Sequence, residues 1–144
     1  MSQPKDRAMH TAEHVLNQTM VRLLGCGRAF STHINPGKSK CDYHMDAPPT
    51  AEQAQAVEEG VNAVLARHLP VTEEFMSREE AGRLFDLARL PPDAGRTLRI
   101  VRVGDYDACP CIGEHVANTA EIGTFRLVSH SFENGVLRVR FRLG

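Results

Sequence analysis

The stretch FRLVSHSFENGVLRVRFRL, residues 125–143, sets the reading of the fold. Two alternating runs, Phe125 to Phe132 and Val136 to Leu143, flank Asn134-Gly135, the dipeptide that two-residue hairpin turns prefer. In the second run Leu137, Val139, Phe141 and Leu143 fall on one face, and Arg138, Arg140 and Arg142 on the other. A solvated sheet face is the favoured reading of those arginines, with contact to RNA phosphates the minority one.

Upstream of this hairpin the period changes repeatedly. Residues 98–103, with Leu98, Ile100, Val101 and Val103, read as a strand. Ser77 with Glu80 forms a capping-box pattern that opens a short helix through Leu84 to Leu87, after a strand near Val71 to Phe75. Thr50 with Gln53 makes a second capping box; the helix behind it carries Val57, Val61, Val64 and Leu65 on one face and ends before Pro70. Residues 28–33 and 40–45 read as strands joined by a turn through Asn35, Pro36 and Gly37. Residues 8–24 read as a helix, with Ala12, Val15, Leu16, Met20, Leu23 and Leu24 mostly at three- and four-residue steps and Gly25 and Gly27 as its stop. The expectation is one α+β domain over residues 1–144, a largely antiparallel sheet with helices packed on it.

With 17 Lys+Arg against 18 Asp+Glu the formal net charge is −1, and 42% of the 144 residues are hydrophobic. That composition excludes disordered and fibrous classes. The charge balance argues against a duplex-DNA binder, which must neutralise many phosphates. No apolar run approaches a membrane span and no leader follows Met1, so a cytoplasmic protein that binds neither DNA nor membrane is expected. Cys26 and Cys41 read as small buried residues.

Chemistry concentrates in two short segments. His10-Thr11-Ala12-Glu13-His14 places two imidazoles four residues apart on one helical face, where both reach one metal ion. The metalloprotease pattern needs Glu directly after the first His, and Thr11 stands there instead. Cys111-Ile112-Gly113-Glu114-His115 offers a thiolate and an imidazole, with Gly113 read as permitting a tight turn. Together the segments make a tetrahedral set suited to zinc. Read bare, the same residues also fit a solvated helix start and a core thiol, and either Cys109 or Cys111 could be the metal-binding sulfur. A Cys109–Cys111 disulfide is disfavoured by the strain of a ring closed over one residue.

These segments, with the run VANTAEIGTFRL at residues 116–127, resemble the editing domain of alanyl-tRNA synthetases. They are most similar to the free-standing alanyl-tRNA editing proteins of AlaX type, in their short form. Tyr43-His44-Met45-Asp46, Val61-Asn62-Ala63-Val64, His68-Leu69-Pro70-Val71 and Arg78-Glu79-Glu80-Ala81 extend the resemblance through the middle of the chain. It implies an α+β editing domain that binds the acceptor 3′ end of a mischarged aminoacyl-tRNA and hydrolyses its ester, typically serine or glycine on alanine tRNA. It implies Zn2+ held by His10, His14, Cys111 and His115, with Thr32 as the hydroxyl that contacts the seryl group. The synthetase-linked pattern Cys-Gly-Gly-Thr-His is altered here at Ile112 and Glu114, and a Glu before the His goes with the short free-standing forms. Glu114 and Asp107 are candidate acid–base or supporting carboxylates, and Asn118 and Thr119 candidates for orienting substrate. Zinc lowers the pKa of water towards ~7, but four protein ligands close a tetrahedral site. The rival expectations are a non-catalytic zinc-stabilised module that binds an RNA end, a hydrolase of small esters or amides, and an editor that clears serine from threonine tRNA.

Overall fold

A computed structural model describes residues 4–88, 90 and 95–144. The chain opens with helix α1 (Pro4–Leu24), four residues longer at its start than periodicity predicted. Pro4 fits there because the first turn of a helix needs no amide donors. Nearly every residue from Ala8 to Met20 is buried, polar Thr11, Glu13, His14, Asn17 and Thr19 included. A helix enclosed on all sides must place partners around each polar group, and α1 does so: Thr19 meets the Tyr106 hydroxyl at 2.7 Å, and Asn17 accepts from the Ala29 amide at 2.9 Å.

Strands β1 (Ser31–His33) and β2 (Ser39–His44) follow, both antiparallel, and β1 is shorter than the 28–33 expected. Helix α2 (Ala51–Leu65) begins at the capping box read from sequence: Thr50 Oγ1 accepts from the Gln53 amide at 3.1 Å, and the Thr50 amide donates to Gln53 Oε1 at 2.8 Å. Strand β3 (Val71–Ser77) runs into helix α3 (Arg78–Leu84), which stops at Leu84, short of the Leu87 expected. Strand β4 (Thr97–Val103), strand β5 (Asp107–Pro110), a 3-10 turn (Thr119–Glu121) and the hairpin β6 (Phe125–Glu133) and β7 (Val136–Leu143) complete the order. Asn134 and Gly135 both have positive φ, as the hairpin turn requires.

The fold is α+β and its strands pair antiparallel, but they divide into two sheets where one was expected. The first has the order β1-β2-β7-β6 and the second β3-β4-β5. β5, a four-residue strand with two alternating apolar positions at most, joins the edge of the second sheet beside β4 and is one that periodicity could not mark. The main core joins α1, α2, the inner faces of β2 and β7, and Val103 and Tyr106 at the end of the second sheet. A smaller core, Ala81, Leu98 and Ile100, seats α3 on the opposite face of that sheet. The face of β4 and β5 that carries Val101, Asp107 and Cys109 is thereby turned towards α1. Cys41 is buried as expected, whereas Cys26 is half-buried with its Sγ 3.7 Å from the Met20 carbonyl. No helix among the described residues is long and apolar enough to cross a membrane.

Candidate metal centre

The four-residue spacing on α1 aims His10 and His14 at the end of β5. Pro110 is the last residue of that strand, and the hydrogen bonding to β4 runs one step further, into Cys111. Cys111 is then fixed from both sides: its amide donates to the Arg99 carbonyl and its carbonyl accepts from Arg99 Nη1, each at 3.1 Å. From this anchor Cys111 Sγ lies 3.4 Å from His10 Nε2 and 3.5 Å from His115 Nε2. The His10 and His115 rings stack with centroids 4.1 Å apart, and His14 stands edge-on to them at 5.1 and 4.5 Å. One ligand atom from each of His10, His14, Cys111 and His115 lies within 4.8 Å of all the others.

That spacing fits a metal. Zinc–nitrogen bonds near 2.0 Å and zinc–sulfur bonds near 2.3 Å at tetrahedral angles put neighbouring donors roughly 3.5 Å apart. The structure thus brings together all four candidate ligands singled out in the sequence, with Cys111 as the thiol grouped with the three imidazoles. Cys109 instead belongs with His14 and Asp107. His14 is buried, while His10, Cys111 and His115 are half-exposed, so access to the cluster is from their side.

A second layer sets which nitrogen of each ring faces inward. His10 Nδ1 donates to the Glu114 carbonyl at 3.1 Å, which leaves Nε2 as a lone pair beside Cys111. For His115 the answer comes from counting protons on Thr11. Its hydroxyl donates to the Arg7 carbonyl at 3.1 Å and accepts from the Val116 amide at 3.2 Å. The one hydroxyl proton is used, so the 2.9 Å contact with His115 Nδ1 has the ring as donor and leaves His115 Nε2 free to ligate. Thr11→Val should remove the oxygen that accepts from His115 Nδ1 and the Val116 amide and weaken zinc binding by about 10- to 100-fold. Chelator competition measures this, and Thr11→Ser should restore the wild-type value.

Behind His14 lies a buried ionic group. His14 Nδ1 is 3.3 Å from Cys109 Sγ and 3.6 Å from Asp107 Oδ2. Arg28 grips Asp107 at 2.6 and 3.2 Å and reaches Cys109 Sγ at 3.4 Å, and Gln18 donates to Asp107 at 3.0 Å. Burial opposes the charge on Asp107, but the His14 hydrogen bond and the Arg28 guanidinium outweigh it and hold the carboxyl at about 2. His14 is likewise penalised by burial, yet Cys109 and Asp107 raise it well above its ordinary value. Cys111, despite burial, is brought down to about 3 by its contacts with the His10, His115 and His14 rings. Burial, with the charges of His14 and His10, lowers His115 to about 4. A thiolate at Cys111 and a neutral ring at His115 are the protonation states that a metal requires.

Gly113 meets a steric demand. Its φ is not in the left-handed region, so the tight turn expected from sequence is not what calls for glycine here. A Cβ at this position would sit 2.7 Å from His10 Nδ1. Gly113→Ala should therefore displace the His10 ring and weaken zinc binding about 10- to 100-fold, measured by the same competition, with the melting temperature little changed.

The other singled-out residues lie as follows. Thr32 is on β1 opposite Cys41, with its Oγ1 3.8 Å from Cys41 Sγ. Glu114 is exposed, and its carbonyl is what holds His10. Asn118 caps the 3-10 turn through a 2.8 Å bond from the Ala120 amide, and buried Thr119 bonds the Leu65 carbonyl and the Leu69 amide. These bonds match the packing role that the sequence reading set beside the substrate-orienting one. Sequence reasoning missed Arg28 and the supporting role of Thr11, because partners 79 and 104 residues away leave no local spacing to read.

Three imidazoles and a thiol, converging from a helix and the loop after a strand, give this α+β domain a donor group that could hold a metal ion, of a kind suited to zinc. Residues 98–139, which include Cys111 and His115, match the threonyl and alanyl tRNA synthetase second additional domain family. The chain is 37% identical over 138 residues to an alanine–tRNA ligase of Frankia casuarinae, a match covering 94% of this chain and 16% of the ligase. It is 35% identical over 128 residues to that of Ligilactobacillus salivarius, covering 88% of this chain and 14% of the ligase. Against that of Methanothrix thermoacetophila the figures are 33% over 147 residues, 94% and 15%. The chain thus spans about one sixth of the length of these curated relatives. Residues 98–139 resemble that family, and the chain is related over most of its length to one segment of alanine–tRNA ligases.

Proposed function

We propose that this chain acts as one free-standing editing domain in the cytoplasm, hydrolysing the ester of alanine tRNA mischarged with serine or glycine. The observation that carries this reading is the cluster of His10, His14, Cys111 and His115 within 4.8 Å, in a chain related to the alanyl-tRNA synthetase editing domain. Bound Zn2+ would supply Lewis acidity for the ester carbonyl and lower the pKa of water. The chain's residues do the rest. Glu114, an exposed carboxylate whose carbonyl holds His10, takes a proton from the attacking water and returns it to the departing ribose oxygen. Thr32 pairs with the seryl hydroxyl, a partner that alanine leaves unsatisfied. Thr32→Val should keep zinc and lose about 10-fold or more of the preference for serine over alanine; an unchanged ratio would remove Thr32 from this role.

A closed four-donor set is also the pattern of structural zinc sites, which favours the second reading, a non-catalytic module that binds an RNA end. Deacylation assays decide. Release of serine from alanine tRNA, with correctly charged alanyl-tRNA left intact, supports editing. Equal release from threonine tRNA would reassign the substrate, and no release from folded, zinc-loaded protein leaves the binding module.

A further inference from the structure

The outer face of the first sheet carries a charge pattern that the metal centre does not use. Across β2 and β7, Lys40 is directly opposite Arg140, and across β6 and β7, Arg126 is directly opposite Arg142. Like charges in register disfavour the sheet, yet this fold keeps two such pairs side by side. No carboxylate pairs with Lys40, Arg126, Arg140 or Arg142 among the described residues. Of the two strand carboxylates on this face, Asp42 is held by Arg138 at 2.8 and 2.9 Å, and Glu133 stands at the hairpin end opposite Val136. Five cationic side chains against two carboxylates make this face +3 in a chain whose net charge is −1. Beside them Phe30 stacks on His44, centroids 3.9 Å apart and rings 11° from parallel, with Phe30 40% exposed.

We infer that this face, centred on Lys40, Arg140 and Arg142, binds the phosphate backbone of RNA. Concentrated positive charge suits a polyanion, and the exposed Phe30–His44 stack suits a nucleobase. A second copy of this chain would bring like charges together. That the RNA is tRNA rests on the editing reading above; the polyanion surface does not.

The test uses the full chain with Arg140→Gln and Arg142→Gln combined, an uncharged alanine tRNA transcript, and the seryl ester of adenosine, which has no phosphate. The double variant should bind the transcript about 10- to 100-fold more weakly, with the slope of log affinity against log salt flatter by roughly 1.5 to 2. Its turnover of seryl-adenosine should equal wild type. Its melting temperature should hold or rise, because the like-charge pairs are relieved. Transcript affinity and salt slope equal to wild type would overturn the inference. So would loss of binding to anionic vesicles of phosphatidylserine and phosphatidylcholine without loss of transcript binding, which would make the surface a membrane contact. If wild-type protein fails to hydrolyse seryl-adenosine or seryl-tRNA while the arginines still govern transcript binding, the RNA surface stands and the editing reading falls.

Discussion

Replacing Cys111 with alanine should abolish zinc binding at micromolar metal, and with it ester hydrolysis, while Cys109→Ala keeps both. Zinc in structural sites of this donor type is bound by roughly 10–16 kcal/mol, so one of four donors accounts for ~3 kcal/mol, or at least about 100-fold in affinity. The loss should exceed that share, because Cys111 is the sulfur that His10 and His115 both face at 3.4 and 3.5 Å. Cys109 groups with His14 and Asp107 and not with His10 and His115, and it lies beside the Arg28 guanidinium. Metal content by mass spectrometry under native conditions checks this directly. Full zinc occupancy in Cys111→Ala, or its loss in Cys109→Ala, would reverse the assignment of the thiol.

Arg28→Met should destabilise the fold by about 3–5 kcal/mol, the range for removing one partner of a buried ion pair. The Asp107 side chain is fully buried and the Arg28 side chain is 29% exposed, so the variant leaves a carboxylate enclosed with only Gln18 and His14 to face. In a domain of this size the melting temperature should drop by about 10 °C. Arg28→Met with Asp107→Leu should recover most of the loss, because an apolar pair removes the stranded charge. The pair also has a pH signature. The folded carboxyl lies near 2, below the ~3.9 of an unfolded Asp. Its stabilising contribution is therefore full above about pH 4 and is lost as pH falls through 2. Arg28→Met should weaken that acid-range dependence, since only the His14 contact is left to lower the carboxyl, seen by denaturant midpoints measured between pH 2 and 5.

The elements legible in sequence were those whose signals are local. Thr50 and Gln53 cap α2 in the reciprocal manner expected, and Asn134-Gly135 turns the last hairpin. The His10–His14 and Cys111–His115 pairs were readable because ligand spacing on a helix and in a loop is itself a local pattern. Their convergence was expected from the complementary donor set and the resemblance, but the strand that brings it about, β5 with its end towards α1, was not. That strand is four residues long and ends in Pro110, so neither alternation nor length betrays it. The split into two sheets escaped as well. Gly113 was noticed, but its use is steric contact with a ring 103 positions away, which backbone propensity cannot foresee. Thr11 was read only as the wrong residue for a metalloprotease, while its three hydrogen bonds set the tautomer of His115.

The measurement that bears most directly on a metal-dependent deacylase is serine release from seryl-tRNA specific for alanine. It is followed before chelation, after chelation, and after return of one equivalent of zinc per chain. The account predicts release, its loss on chelation with the protein still folded, and its return with zinc. Release that continues undiminished from protein shown to be free of metal would contradict it.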